Sequence, residues 1–196
     1  MFSKETTIQA IAYLVRASGP GLSKIVLLKL LYLADRYHLR KYGRTILGDR
    51  YFAMKYGPVA SDTKNVIESG LRDEYASRFV RVTMVPHKPR DFQLVSAYGK
   101  ESLGWLSQTD TEALDAALKV YSVCDNLVGF THEFPEWKKH EQAIEAGASS
   151  IRMNYEDFFE SCEDFEYCDA SPELVEMSKE EYLERQSILA ALHDAA

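Results

Sequence analysis

The chain has 196 residues, 46% of them hydrophobic and 27% charged, which suits one ordinary domain, or one domain with an elaborated tail, and leaves two full domains cramped. No apolar run approaches the roughly 20 residues that span a bilayer, and the start, MFSKETTIQAIAYLV, lacks the basic segment and continuous apolar run of an export signal. The formal charge of −7 is unevenly placed: residues 151–196 hold 13 acids against Arg152, Lys179 and Arg185, so that tail is a poor ligand for nucleic acid and a better one for a basic protein.

Thr6 to Ala17 reads as a first helix, with Ile8, Ile11, Leu14 and Val15 at helical spacing and Gly19-Pro20-Gly21 ending it. Ser23 is expected to cap a second, longer helix that runs to Tyr42 and stops at Gly43. Two of its faces are apolar, which puts it at the centre of the core, while Lys29, Arg36 and Arg40 share a basic edge. From Arg50 to Tyr56 the period becomes two, which predicts a strand covered on most of both faces. Gly57-Pro58 is read as the turn after it, and Ser61 as the cap of a helix through Val66 and Ile67 to Gly70. Val80, Val82 and Met84, then Phe92 and Leu94, form the arms of a hairpin, with Pro86 and Pro89 confined to the connection.

The second half reads as helical. Thr109 with Glu112 fits a capping box for a helix to Cys124, and Asn126 to Phe130 a short helix before Thr131, His132 and the Pro135 break. Ile151, Tyr155, Phe158, Phe159 and Cys162 again have helical spacing, and Ser178 with Glu181 caps a last helix to Leu192. The fold class expected is α+β, predominantly helical: a compact helical domain with one small three-stranded antiparallel sheet. Residues 1–168 would form the domain, and 169–196 an acidic C-terminal extension, ending in a helix and packed on the same domain, with Asp169 to Pro172 as linker.

Catalytic templates are missing. No glycine-rich phosphate loop, Gly-x-Ser-x-Gly elbow, HExxH or CxxC pair is present, and three cysteines, Cys124, Cys162 and Cys168, form no disulfide framework, so a reducing cytoplasm, no metal and no cofactor are expected. Asp35 and His38 share a helix face and could do acid-base work. The simpler reading has Asp35 half buried and satisfied by Arg50 or a backbone amide. His132, in THEFPEW, is read as a cap with aromatic packing. The Lys29, Arg36, Arg40, Lys41 and Arg44 cluster is weighed as a solvated or protein-contacting face ahead of a nucleic-acid site. NYEDFFESCEDFEY mixes aromatics with acids. It is either an amphipathic element on the core or a partner surface in which Tyr155, Phe158, Phe159 and Phe165 dock while Glu156, Asp157, Glu160, Glu163 and Asp164 steer.

KLLYLADRYHLRKYGR (29–44), GDRYFAMKYGPVASD (48–62), LSQTDTEALDAALKVY (106–121) and THEFPEW (131–137) resemble the Panacea domain, the SocA-like, phage-associated GepA-like antitoxin family, over about residues 5–160. The resemblance implies an antitoxin of a bacterial or phage toxin-antitoxin pair that binds and neutralises a cognate protein toxin, with no catalysis, no cofactor and a place in phage defence. It implies a reusable scaffold, since relatives pair with unrelated toxins, and one relative acts as a proteolytic adaptor. Some relatives add a helix-turn-helix domain, for which no room is expected before residue 5. The signature residues Tyr32, Asp35, His38, Asp49, Tyr51, Met54, Tyr56, Gly57, Pro58, Thr131, His132 and Trp137 would then specify the scaffold, and the toxin surface would lie elsewhere. The toxin's identity, occlusion against adaptor action, and homo-oligomerisation stay open.

Overall fold

A computed structural model describes residues 1–19, 21–84, 93–97, 101–162 and 167–194. Helix α1 (Lys4–Ser18) starts where the Ser3 side chain accepts from the Thr6 amide, and it buries Ile8, Ile11, Leu14 and Val15. A short strand, β1 (Leu22–Ser23), leads into α2 (Lys24–Tyr42), whose Ser23 cap and left-handed Gly43 stop lie where the sequence puts them. Every residue of α2 from Leu27 to Arg40 is buried, so this helix is the axis of the molecule.

Strand β2 (Tyr51–Met54) pairs antiparallel with β3 (Gly57–Ala60), and Met54 faces Gly57 across the tightest rung. The reversal is therefore made by Lys55 and Tyr56, while Gly57-Pro58, expected as the turn, opens the return strand. Pro58 is tolerated because β3 lies at the edge of its sheet, where a missing N–H breaks no ladder. The hairpin brings the start of α3 (Ser61–Glu68) back beside Asp49. Its carboxylate accepts from the Asp62 and Thr63 amides at 2.8 and 2.7 Å, so Asp49, and not Ser61, caps that helix. After α4 (Glu74–Ser77), strands β4 (Val80–Met84) and β5 (Gln93–Ala97) form the second hairpin, and β1 pairs with the free side of β5. Pro86, Pro89 and Phe92 lie outside the described residues.

Helix α5 (Gln108–Val123) has its capping box at Ser107 and Asp110, two residues before the expected pair, which frees Thr109 and Glu112 to bond α2. Short helices α6 (Leu127–His132), α7 (Pro135–Lys138, with proline in its first turn) and α8 (Glu141–Glu145) follow. Residues 151–162 are not one helix. Strand β6 (Ile151–Arg152) pairs with β2, and Tyr155–Phe159 forms a 3-10 turn capped by Asn154. The apolar spacing suits either form, and pairing with β2 decides between them. Helix α9 (Pro172–Asp194) starts six residues before Ser178, which sits buried inside it.

The α+β, predominantly helical class holds, with two small antiparallel sheets in place of one: β1-β5-β4 and β3-β2-β6. Each sheet is completed by a two-residue strand, too short to carry a period in sequence. Tyr32, Tyr51, Phe134 and Phe158 meet at centroid distances of 5.5 to 6.1 Å, fastening α2 to β2, the 3-10 turn and the start of α7. No helix among the described residues is long and apolar enough to cross a membrane.

Candidate functional site

The polar residues of α2 do not reach solvent as a group; each is bonded to another element. Asp35 is fully buried and accepts from the Ile46 and Leu47 amides at 2.7 and 3.1 Å and from the Tyr51 hydroxyl at 2.9 Å. Of the two donors expected, the backbone amides are right; Arg50 instead forks onto Asp62 at the surface. His38 faces away from this site. Its Nδ1 donates to the Arg44 carbonyl at 2.8 Å, and Nε2 lies 3.0 Å from Thr109 Oγ1 and 3.2 Å from Asp110 Oδ1. Asp35 and His38 are thus committed to different partners.

The basic edge is corrected by the structure: Lys29, Arg36 and Arg40 are buried, so they present no surface to nucleic acid or solvent. Arg36 Nε donates to Glu136 Oε1 at 2.9 Å, its guanidinium lies 4.2 Å above the Phe134 ring, and the Tyr32 hydroxyl donates to the same carboxylate oxygen. Arg40 donates to the carbonyls of Phe159 and Glu160 at 2.5 and 3.0 Å. Lys29 donates to the Pro58 carbonyl at 2.8 Å, and burial pushes its amine well below the usual lysine range. Lys41, mostly buried, joins Glu112 and Asp169 at 2.7 and 2.8 Å, and Arg44 joins Asp110 at 3.0 Å.

Electrostatics differ along the helix. Burial raises the Asp35 carboxyl to about 7, although its three hydrogen bonds pull it down in part. Glu112 goes the other way, to about 2, because Lys41, then Tyr42 and Tyr37, donate to it. Asp110 is held below the usual carboxylate range: burial works to raise it, but bonds from His38 and Ser107 and the charge of Arg44 prevail.

Around the first hairpin, Trp137 Nε1 donates to the Met54 carbonyl at 3.1 Å and its ring stacks on His132 at 3.7 Å. Thr131 is buried and caps back onto the Val128 carbonyl. Gly57, at φ +90°, leaves room for the Lys29 amine: a Cβ there would lie 2.6 Å from Nζ and 2.9 Å from Thr131 Oγ1. Tyr56 is the exception among the signature positions. It is 59% exposed at the hairpin tip, past the end of β2, where the period of two placed it in a strand covered on most of both faces.

The expected docking aromatics are also relocated. Phe158 and Phe159 are buried against Tyr32, Tyr51 and Tyr182, and the Tyr155 hydroxyl donates to the Asp49 carbonyl at 2.6 Å, so these rings hold the core and offer no anchor at the surface. Glu156 and Glu160 are exposed, whereas Asp157 is bonded to Lys139. Glu163, Asp164 and Phe165 lie outside the described residues. Sequence reasoning missed Glu136 as the partner of Arg36. A helix apolar on two faces leaves little solvent-facing arc for cations at 29, 36 and 40, and that was the signal that acceptors had to be sought.

Among the described residues, no group of three or more His, Cys, Asp or Glu side chains is placed to hold a metal ion. Comparison with curated proteins and with solved structures finds no match. Against protein-family models, residues 27–138 match the family described as "Antitoxin SocA-like, Panacea domain". That span is more than half of the chain and takes in α2 from Leu27 on, both hairpins, α5 and the Glu136 carboxylate that accepts from Arg36 and Tyr32, so the chain belongs to the SocA-like antitoxin, Panacea-domain family.

Proposed function

We propose that the chain is the antitoxin of a toxin-antitoxin pair and neutralises a cognate protein toxin by binding it directly. The observation that carries this reading is the family match, which spans α2 from Leu27 on, both hairpins, α5 and Glu136. The polar side chains of α2 support a binding role over catalysis, because Asp35, Arg36, His38 and Arg40 are spent on internal bonds and are buried. A non-enzymatic role, as family membership suggests, leaves specificity to the outer surface. On this proposal residues 169–196 act with the rest as one unit: Val175 and Ser178 are buried against the body, and the Ser178 carbonyl lies 2.7 Å from where a Cβ on Gly43 would be.

The test is co-expression with the product of the adjacent reading frame, followed by pull-down and growth rescue. Rescue with a stable complex and an unchanged toxin half-life is the expected result. A shortened half-life would replace occlusion with delivery to a protease, and rescue without any complex would overturn the binding reading.

A further inference from the structure

Helix α9 changes character halfway along. Its first half seats Val175, Ser178 and Tyr182 on the body, with the Tyr182 ring 5.8 Å from Phe159 and 6.1 Å from Tyr155. From Ser187 to Leu192 every residue is exposed, about 9 Å of helix at 1.5 Å per residue. This free end is not polar. Ile188 is 55% exposed, Leu189 51% and Leu192 63%, and Leu189 continues the line of the seated face one heptad beyond Tyr182. Contiguous apolar side chains left in water at a helix end mark a contact surface.

Charge says what kind of contact. Helix α9 carries six acids against two bases, Lys179 and Arg185. Next to the apolar end, Met177, Glu180, Glu181 and Glu184 line a shallow groove of about 450 Å³ with Lys41 and Tyr42. Arg185 is taken by Glu181 at 2.7 Å, and among the described residues neither Glu180 nor Glu184 has an ion-pair partner. A second copy of α9 would bring Ile188, Leu189 and Leu192 together with six more acids against Lys179 and an Arg185 already held by Glu181, so it would add net negative charge to those carboxylates. A partner bearing lysines or arginines beside an apolar ridge satisfies both features.

We propose that the free end of α9, Ile188, Leu189 and Leu192, together with Glu180 and Glu184, is the docking surface for a basic amphipathic segment of the protein partner. This rests on the antitoxin reading and moves the contact away from Tyr155, Phe158 and Phe159. The apolar end holds the partner, and the carboxylates speed its approach.

The experiment uses the full chain and the product of the adjacent reading frame, with association and dissociation measured at low and high salt. Ile188→Gln/Leu192→Gln should dissociate faster and bind at least about tenfold more weakly. Glu180→Lys/Glu184→Lys should associate more slowly, with a flattened salt dependence. Both should melt with the wild type, because the substituted side chains are exposed. If the wild type binds and the glutamine variant binds equally well, the docking surface is wrong while the antitoxin reading stands. If sedimentation shows a dimer that the glutamine variant loses without losing partner affinity, the surface joins copies of this chain and the proposal is overturned. If the wild type neither binds the adjacent product nor protects against it, the antitoxin reading fails and the docking surface falls with it.

Discussion

Helices α2 and α9 are similar in length, 19 and 23 residues, and opposite in their use of side chains. The first buries Lys24, Lys29, Asp35, Arg36 and Arg40; the second leaves Met177, Ile188, Leu189 and Leu192 in water. The difference teaches that residue class does not set burial by itself. A charge can enter α2 because carboxylates, carbonyls and amides from five other segments are already there to meet it, and an isoleucine stays outside on α9 because the body ends before the helix does. One helix is buried along most of its length, and the other is seated on the body by Val175, Ser178 and Tyr182 while its far end stays in water.

The comparison breaks first at Glu136. Glu136→Ala would take the counter-charge from the buried Arg36 guanidinium, which keeps its bond to the Glu160 carbonyl, and the acceptor from the Tyr32 hydroxyl, and should cost about 3–5 kcal/mol in a urea melt. A loss below about 1 kcal/mol would mean that the hub is not held by its ion pair.

Asp35 comes next. Asp35→Ala should cost about 1–3 kcal/mol by leaving the Ile46 and Leu47 amides unpaired. Its pH dependence gives a sharper reading. The folded-state value is raised from 3.8 to about 7 by burial, so the folded chain holds this proton more tightly than the unfolded chain. The stability it brings is full below about pH 4 and is lost as pH rises through 7. Asp35→Asn can still accept from both amides and donate to Tyr51, so it should abolish that decline. An unchanged slope between wild type and variant would show that Asp35 folds as a free carboxylate.

Glu112 has the opposite sign at the rim of the same helix. Lowered from 4.5 to about 2 by bonds from Lys41, Tyr42 and Tyr37, it contributes stability above about pH 4.5 that is lost as pH falls through 2. Because its side chain is 40% exposed and screened by water, Glu112→Gln should cost less than about 1 kcal/mol above pH 4.5, and the difference from wild type should vanish as pH falls through 2.

The smallest effect is expected at Tyr56, where Tyr56→Ala should change stability by no more than about 0.5 kcal/mol. A larger loss would make the hairpin tip part of the scaffold after all. A stable variant that no longer binds the partner would enlarge the contact surface beyond α9.

Helices α1 and α2 were legible in the sequence because their signals are local: Ser23 caps, Gly43 stops, and the apolar positions between them repeat at one period. The weave around α2 was less legible. Asp49 caps α3 from 12 residues before its first turn, Ser107 takes the place assigned to Thr109, and Ile151–Arg152 becomes a strand only because β2 offers it an edge. Each of these is a choice among partners brought together by folding. In the tail, Phe158 stands beside Glu156 and Asp157 and is buried, whereas Ile188 stands beside Ser187, Leu189 and Ala190 and is exposed, so neighbouring residues do not tell which one the core takes.

The sequence by itself determined the central helix, the helical class and the family pattern, since period, caps and a short motif act over a few residues. Tertiary structure alone decided that Arg36 meets Glu136 a hundred positions away, that Phe158 belongs to the core, and that α9 outruns the body. Burial and pairing depend on which surfaces meet in space, and the cost of an unpaired buried charge fixes those meetings only once the chain has closed around it.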